Sequence, residues 1–420
     1  MRNANYITSE YAIGKVSDAR VLTKILVFYF FVCFSHISKC ILVSAFMHIM
    51  LFALRALSLH LFHIKIRLPD FRDGINFHVC SWVYTHLRNV SEYKEVFWEL
   101  VRKMKIKHGS KVAIIGAGAV GSSIAFAMAI QQLCTELVLI DVNQDKAKGE
   151  ALDISHGLPF LGQMDIYAGS YEDVKDCDLI IITAGIPRKP GETRLDLAKK
   201  NVGLAKKITE SVMEHYTTGN ILVVSNPVDV LTYMIAKWSG LPRNRVLGSG
   251  TVLDSARFRI LISQKLDIDV RNVHGYIIGE HGDSQLPAWS ATNIAGLSID
   301  DYSKTTGIPF TQADRIEIAE KTRFSGAEVI KLKGATFDGI AVSVSTIAKS
   351  LLKGENTIRT VGSVLCGEYG IQDVATNVPT IIGADGVEKV LELDLDPQEL
   401  RFLQASAESV KKILAEVKDL

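Results

Sequence analysis

Three ionisable side chains carry the chemistry available to this sequence: Asp254, Arg257 and His281. Asp254 and Arg257 stand three apart in Gly250-Thr251-Val252-Leu253-Asp254-Ser255-Ala256-Arg257-Phe258-Arg259, which reads as the start of a helix and puts them on neighbouring faces of one turn. His281 ends a short apolar run, 273–278, and is flanked by Gly279 and Gly282, so it reads as a titratable group delivered by a strand to a sheet edge. A carboxylate can orient an imidazole, and a guanidinium can hold an anion in fork geometry. Taken singly, each has a plainer reading, an ion pair on a helix surface or a histidine that only bonds structure. The frame around them decides.

That frame begins at Lys111-Val112-Ala113-Ile114-Ile115, a short buried strand followed directly by Gly116-Ala117-Gly118-Ala119-Val120-Gly121 and an apolar helical stretch over 122–130. A lone GxGxxG says little, but this one sits at a strand-to-helix junction. Gly116 makes the tight turn, Gly118 lets the backbone approach a pyrophosphate, and Gly121 allows close packing of helix on strand. Free amides at the helix start bind the phosphates. A second buried strand, 136–140, ends in Asp141, about 20 residues after Gly121, where an acid reaches ribose hydroxyls and repels a 2′-phosphate. NAD is therefore expected over NADP. Further strand-like runs at 178–183 and 220–225, with helical stretches between, give an α/β architecture. The expected fold is a Rossmann-type doubly wound parallel sheet.

At the carboxyl edge of that sheet, 184–197 carries two prolines and two glycines and cannot continue as helix or strand until about Thr193. It reads as a lid bearing Arg188 and Arg194, the bland alternative being a solvated basic loop. Asn226 ends the next strand and places an amide at the same edge.

Forty-seven Lys and Arg balance 46 Asp and Glu, so no global field argues for nucleic acid or an anionic membrane. Six cysteines without a CxxC pair indicate reduced thiols, with Cys134, Cys177 and Cys366 as buried filler. Residues 1–103 differ from the rest. Their two apolar runs, 25–34 and 41–54, are each short of the roughly 20 residues a membrane helix needs. Three readings compete: a membrane or targeting segment, a poorly ordered extension, and a stretch translated upstream of the true start. The last is preferred, because Met104-Lys105-Ile106-Lys107 resembles a natural amino terminus.

The motifs GAGAVGSS, LVLIDVN, TAGIPRKPGETRLDL, VVSNPVDVLTY, GSGTVLDSARFR, GYIIGEHGDS and KGATFDGIAVS resemble the L-lactate dehydrogenases of the lactate and malate dehydrogenase superfamily, from about Lys107 to the carboxyl terminus. The resemblance implies an NAD-binding domain over 104–250 and an α+β catalytic domain over 251–420. It implies His281 as proton donor and acceptor, Asp254 as its partner, Arg257 as anchor for the substrate carboxylate and Arg194 as the lid group polarising the carbonyl. Asn226 and Thr336 would line the substrate pocket; Gly116, Gly118, Val120, Gly121, Asp141, Lys146, Tyr171, Ser225 and Asn226 would contact the dinucleotide. A cytoplasmic homotetramer in glycolytic fermentation is the family's usual setting. The chemistry agrees, because reducing a 2-oxo acid needs hydride on carbon and a proton on oxygen, and an imidazole serves both directions. A dinucleotide binder without turnover, the competing class, would need none of the four ionic groups.

Arg188 departs from the lactate pattern. The common lactate enzymes place glutamine there and the malate enzymes arginine, so Arg188 alone predicts oxaloacetate, whose second carboxylate would pair with it. Glu192, Leu195 and Glu280 are lactate-like, and Glu192 is near enough in sequence to neutralise Arg188, so pyruvate is expected. Arg259 and His274 match positions by which bacterial lactate enzymes bind fructose 1,6-bisphosphate between subunits, the alternative being ordinary core-edge residues. Beyond them, helices are expected over 310–331 and 334–352, short antiparallel strands over 357–393, and an amphipathic helix over 397–420. The apolar stripe of that helix comprises Leu400, Phe402, Leu403, Val410, Ile413, Leu414 and Val417.

Overall fold

The computed structural model describes residues 109–187 and 194–418, together with the backbone of 64–66 and 75–77, which pair as antiparallel three-residue strands. The remaining expectations for 1–103, and those for Arg188 and Glu192, fall outside the described residues. Residues from Lys107 onward form a compact unit of their own.

A nine-stranded sheet organises that unit. Numbered along the chain, its strands are β1 Lys111–Ile115, β2 Glu136–Ile140, β3 Asp165–Ala168, β4 Leu179–Ile182, β5 Asn220–Val223, β6 Val246–Gly248, β7 Thr357–Cys366, β8 Gln372–Gly383 and β9 Gly386–Val390. Their order is β9-β8-β7-β6-β5-β4-β1-β2-β3. The first six strands are parallel, in the order 3-2-1-4-5-6 of a doubly wound fold. The inner strands read as near-continuous apolar runs because helices cover both faces, while the edge strand β3 is only partly buried. Ala113, Ile115, Val138, Ile180 and Ile182 face one layer, with α3 (Arg194–His215) and α4 (Val228–Ser239). Val112, Ile114, Leu137, Leu139 and Ile181 face the other, with α1 (Ala119–Gln131) and α2 (Gln144–Gly157).

Register matters more than composition for the site. Ile115 pairs with Ile140 and with Ile182, Ile182 pairs with Val223, and Val223 with Gly248. Five strands thus end level, and Gly116, Asp141, Thr183, Val224 and Ser249 follow along one edge. Chain order reverses between β1 and β4, which is where such a sheet opens a crevice.

The antiparallel strands β7 to β9 extend the same sheet, joined to β6 through the pair Gly248 and Gly362. They were expected to be short, yet β7 spans 10 residues and β8 spans 12. Thr360, Ser363, Thr376 and Asn377 interrupt the apolar pattern but are buried within the strands, so sequence punctuation and strand ends disagree. The apolar run 273–278, in contrast, is not one strand. It splits into two-residue strands, Val273–His274 and Ile277–Ile278, on different ribbons, and His281 stands beyond them in a loop.

The helix expected at 310 begins as α7 (Gln312–Lys333), because the Thr311 hydroxyl accepts the Asp314 N–H and caps it. Between α4 and α7 lie α5 (Val252–Leu266) and α6 (Ile299–Thr306). Gly334, at φ +86°, ends α7 in the left-handed region; α8 runs Asp338–Lys353 and α9 Pro397–Val417. On α9, Leu403, Val410, Leu414 and Val417 are buried, but Phe402 is exposed, since it falls one step outside the stripe. Cys134 and Cys177 are buried as expected, and burial pushes both thiols up to about 12. Cys366 is exposed, at the strand end where β7 and β8 shift register.

Candidate active site

The apolar cluster of Phe258, Ile262, Leu266, Val273, Ile277 and Phe310 fixes α5, with the Phe258 ring edge-on to Trp289 at 4.8 Å. That packing leaves the first turn of α5 to present Asp254 and Arg257. Asp254 is 2% exposed, and both of its oxygens are engaged. Oδ2 meets His281 Nδ1 at 2.7 Å, and Oδ1 accepts from Arg257 Nη1 at 3.0 Å. Burial alone would raise this carboxyl, but the charges and hydrogen bonds of His281 and Arg257 hold it below the usual carboxylate range. Burial likewise pushes the His281 imidazole down, and the Asp254 carboxylate outweighs it, with Asp229 adding and Arg257 opposing; the ring ends above its ordinary value. A carboxylate at Nδ1 keeps a proton there and leaves Nε2 for chemistry. Gly326 of α7 stands opposite Arg257, where an added Cβ would make ordinary van der Waals contact at 3.6 Å from Nη1.

Three of the four expected ionic groups are thus placed, and three of their side chains meet. Arg194 opens α3, and its side chain is not among those described. Thr336 lies half-buried in the connection from α7 to α8.

The His281 loop is held from several elements that the sequence did not single out. Gly279, at φ +88°, bridges to Asn377 of β8, and the His281 N–H donates to Asp229 Oδ2 at 2.7 Å. The Glu280 N–H donates to Ser406 Oγ of α9 at 2.8 Å, and Ser284 bonds both Ser406 and the Glu280 carboxylate. Asp229 follows Asn226, which the sequence marks only as a strand end; the structure puts Asp229 in the first turn of α4.

Along the crevice, Gly116 has φ +106°, and a Cβ on Gly121 would overlap the Gly116 carbonyl oxygen. A Cβ on Gly118 would meet nothing within 4 Å, and α1 starts there without a side-chain cap or an acidic first turn. This is an open cradle of backbone amides that fits a diphosphate. Asp141 accepts the Ala117 N–H at 2.7 Å, tying the end of β2 to the glycine loop. Tyr171 sits beside it, its hydroxyl pushed up by burial and then by the Asp141 charge. Val120 is half-buried in the first turn of α1, and Lys146 is exposed on α2. The Thr183 hydroxyl donates to the Gly116 carbonyl at 2.8 Å, and Ser225 Oγ donates to the Ala184 carbonyl at 2.6 Å. Asn201, 3% exposed on α3, donates to the Asn226 carbonyl at 2.7 Å and accepts the Ile186 N–H at 2.8 Å. It staples the segment that follows β4, at Ile186, to Asn226 beyond the end of β5, and nothing in the sequence marked it.

Arg259 turns away from this centre, donating to the carbonyls of Val273 and Val270, while His274 is exposed. Among the described residues there is no His, Cys, Asp or Glu cluster that could hold a metal, and no helix long and apolar enough to cross a membrane.

Family models describe residues 110–248 as similar to the NAD-binding domain of lactate/malate dehydrogenases, and 251–420 as similar to their alpha/beta C-terminal domain. L-lactate dehydrogenase of a Thermoanaerobacter species is 48% identical over 308 residues, 73% of this chain and 99% of its own length. That of Priestia megaterium is 49% identical, over 72% of this chain and 95% of its own. Among solved structures, L-lactate dehydrogenase from Clostridium thermocellum is 60% identical with a TM-score of 0.66, covering 74% of this chain and 99% of its own. The minor L-lactate dehydrogenase of Enterococcus mundtii is 44% identical with a TM-score of 0.72 over the same shares.

Proposed function

This chain belongs to the lactate/malate dehydrogenase family, and from that premise we propose that it interconverts pyruvate and (S)-lactate with NAD. The observation that carries the reading is the chain of contacts from His281 through Asp254 to Arg257, at 2.7 and 3.0 Å. The loop of Gly116, Gly118 and Gly121 would hold NADH, which when bound would supply the hydride for the carbonyl carbon. His281 gives its proton to the carbonyl oxygen and recovers it in the reverse direction. Asp254 stabilises the imidazolium and fixes its tautomer. Arg257, with one arm on Asp254, turns the rest of its fork to the substrate carboxylate and so sets the angle of the carbonyl. Arg194 polarises that carbonyl when the lid excludes water. Asn226 and Thr336 line the pocket; Gly116, Gly118, Val120, Gly121, Asp141, Lys146, Tyr171 and Ser225 hold the dinucleotide.

The same reading divides the chain into an NAD-binding domain over 104–250 and a catalytic domain over 251–420, supported by the end of the parallel strands at Gly248. It includes a cytoplasmic homotetramer, with Arg259 and His274 meeting fructose 1,6-bisphosphate between subunits. Steady-state assays with NADH test the substrate. A kcat/KM for pyruvate more than about tenfold above that for oxaloacetate is expected. The reverse preference would hand Arg188 the deciding role and overturn pyruvate as substrate.

A further inference from the structure

Beneath His281 lies a second carboxylate, and the mechanism above leaves it idle. Asp229 stands in the first turn of α4 and is 3% exposed. Its Oδ2 accepts the His281 backbone N–H at 2.7 Å, and its Oδ1 accepts from Asn377 Nδ2 at 2.8 Å. Asn377 is itself fully buried, and the same Nδ2 donates to the Gly279 carbonyl at 2.7 Å. The orientation of this carboxamide is forced. Turned over, its oxygen would face a carboxylate and a carbonyl, with no hydrogen between them. As placed, Oδ1 points at Gly250 and Gly362 and has no hydrogen-bond partner. An orphaned buried acceptor is costly, so the charge-assisted bond to Asp229 holds the amide there.

The electrostatics point the same way. Burial pushes Asp229 up to about 6, and Glu280 pushes in the same direction. The His281 charge, the His281 N–H and Asn377 act against them. With an N–H donor on each oxygen, Asp229 is placed to be ionised, and a helix start favours that charge. His281 then feels two carboxylates, Asp254 and Asp229, against one guanidinium, Arg257.

We propose that Asp229, held by Asn377, is a positioning residue for His281, fixing the backbone of the catalytic loop while its charge favours the imidazolium. The inference rests on the dehydrogenase reading. Pyruvate reduction needs protonated His281, so its kcat/KM falls as pH rises through the imidazole's value. Removing a nearby negative charge lowers that value, and the falling limb moves to lower pH.

Two variants separate charge from position. Asp229→Asn can still accept the His281 N–H, but it removes the charge and sets amide against amide at Asn377. The falling limb of pyruvate reduction, and the rising limb of lactate oxidation, should both move down by about half to one pH unit. Asn377→Ser leaves the carboxylate in place and removes its anchor. The limbs should then stay where they stand in the unaltered protein while kcat drops about tenfold, as expected for a displaced imidazole. An unmoved limb in folded Asp229→Asn overturns the charge role, and unchanged kcat in Asn377→Ser overturns the positioning role. Should Asp229→Asn not fold, Asn377→Ser decides alone. A wild-type chain inactive on every 2-oxo acid would instead sink the dehydrogenase reading.

Discussion

The two ends of the crevice are built by opposite means. At the cofactor end the work is done by side chains that are missing: Gly118 opens space, Gly121 permits contact with the Gly116 carbonyl, and uncapped amides face outward. At the catalytic end the work is done by charges taken out of water, with Asp254 at 2% and Asp229 at 3% exposure around one imidazole. Shape governs the first and electrostatics the second, because buried charges interact strongly and tolerate little rearrangement. The contrast teaches that the same sheet edge can be damaged in two separable ways.

Removing His281, the proton carrier of the proposed reaction, is the severest cut. His281→Asn should lower kcat/KM for pyruvate by about 10³- to 10⁴-fold while the NADH dissociation constant, read by fluorescence titration, stays within about twofold. If NADH binding collapsed as well, the two ends would not be independent.

The glycine loop gives a second, milder division. Gly118→Ala adds a methyl where nothing lies within 4 Å, at φ −74°, so stability should change by less than about 0.5 kcal/mol. NADH should nonetheless bind about tenfold more weakly, because the methyl occupies the approach to the pyrophosphate. Gly121→Ala overlaps backbone and should cost about 1–3 kcal/mol in chemical denaturation. Equal stability losses in the two variants would mean that Gly118 is a structural glycine and that the cradle is elsewhere.

This contrast also explains what could be read beforehand. The glycine loop and the acid of the cofactor end lie in one stretch, from Lys111 to Asp141, where apolar runs and glycine spacing announce strand, turn and helix together, while Tyr171 and Ser225 join it from farther along the chain. The candidate triplet that the structure brings together was legible because Asp254 and Arg257 share a turn and His281 sits between glycines. Their supports were not. Asp229 and Asn377 are 148 residues apart and acquire meaning only when α4 and β8 come together. Asn201 looks like any polar helix residue until the backbone of Ile186 reaches it. Local patterns misled where burial was two-sided or cut short, as in the length of β8, the split run at 273–278, and the exposure of Phe402 and Cys366.

The smallest expected effect tests how the loop's supports are ranked. Ser406 on α9 accepts the Glu280 N–H at 2.8 Å and bonds the Ser284 hydroxyl at 2.8 Å, so Ser406→Ala removes two contacts next to His281. Each neutral hydrogen bond contributes about 1 kcal/mol net, and an unsatisfied N–H adds to the loss, so stability should fall by about 1–2 kcal/mol. The catalytic consequence should be slight, about two- to threefold in kcat, because Asp229 and Asn377 still hold His281 and Gly279 from the opposite side. A tenfold fall in kcat, with the pH limbs unmoved, would reverse the ranking. It would mean that α9 positions the imidazole and that the Asp229 bond to the backbone follows from that placement.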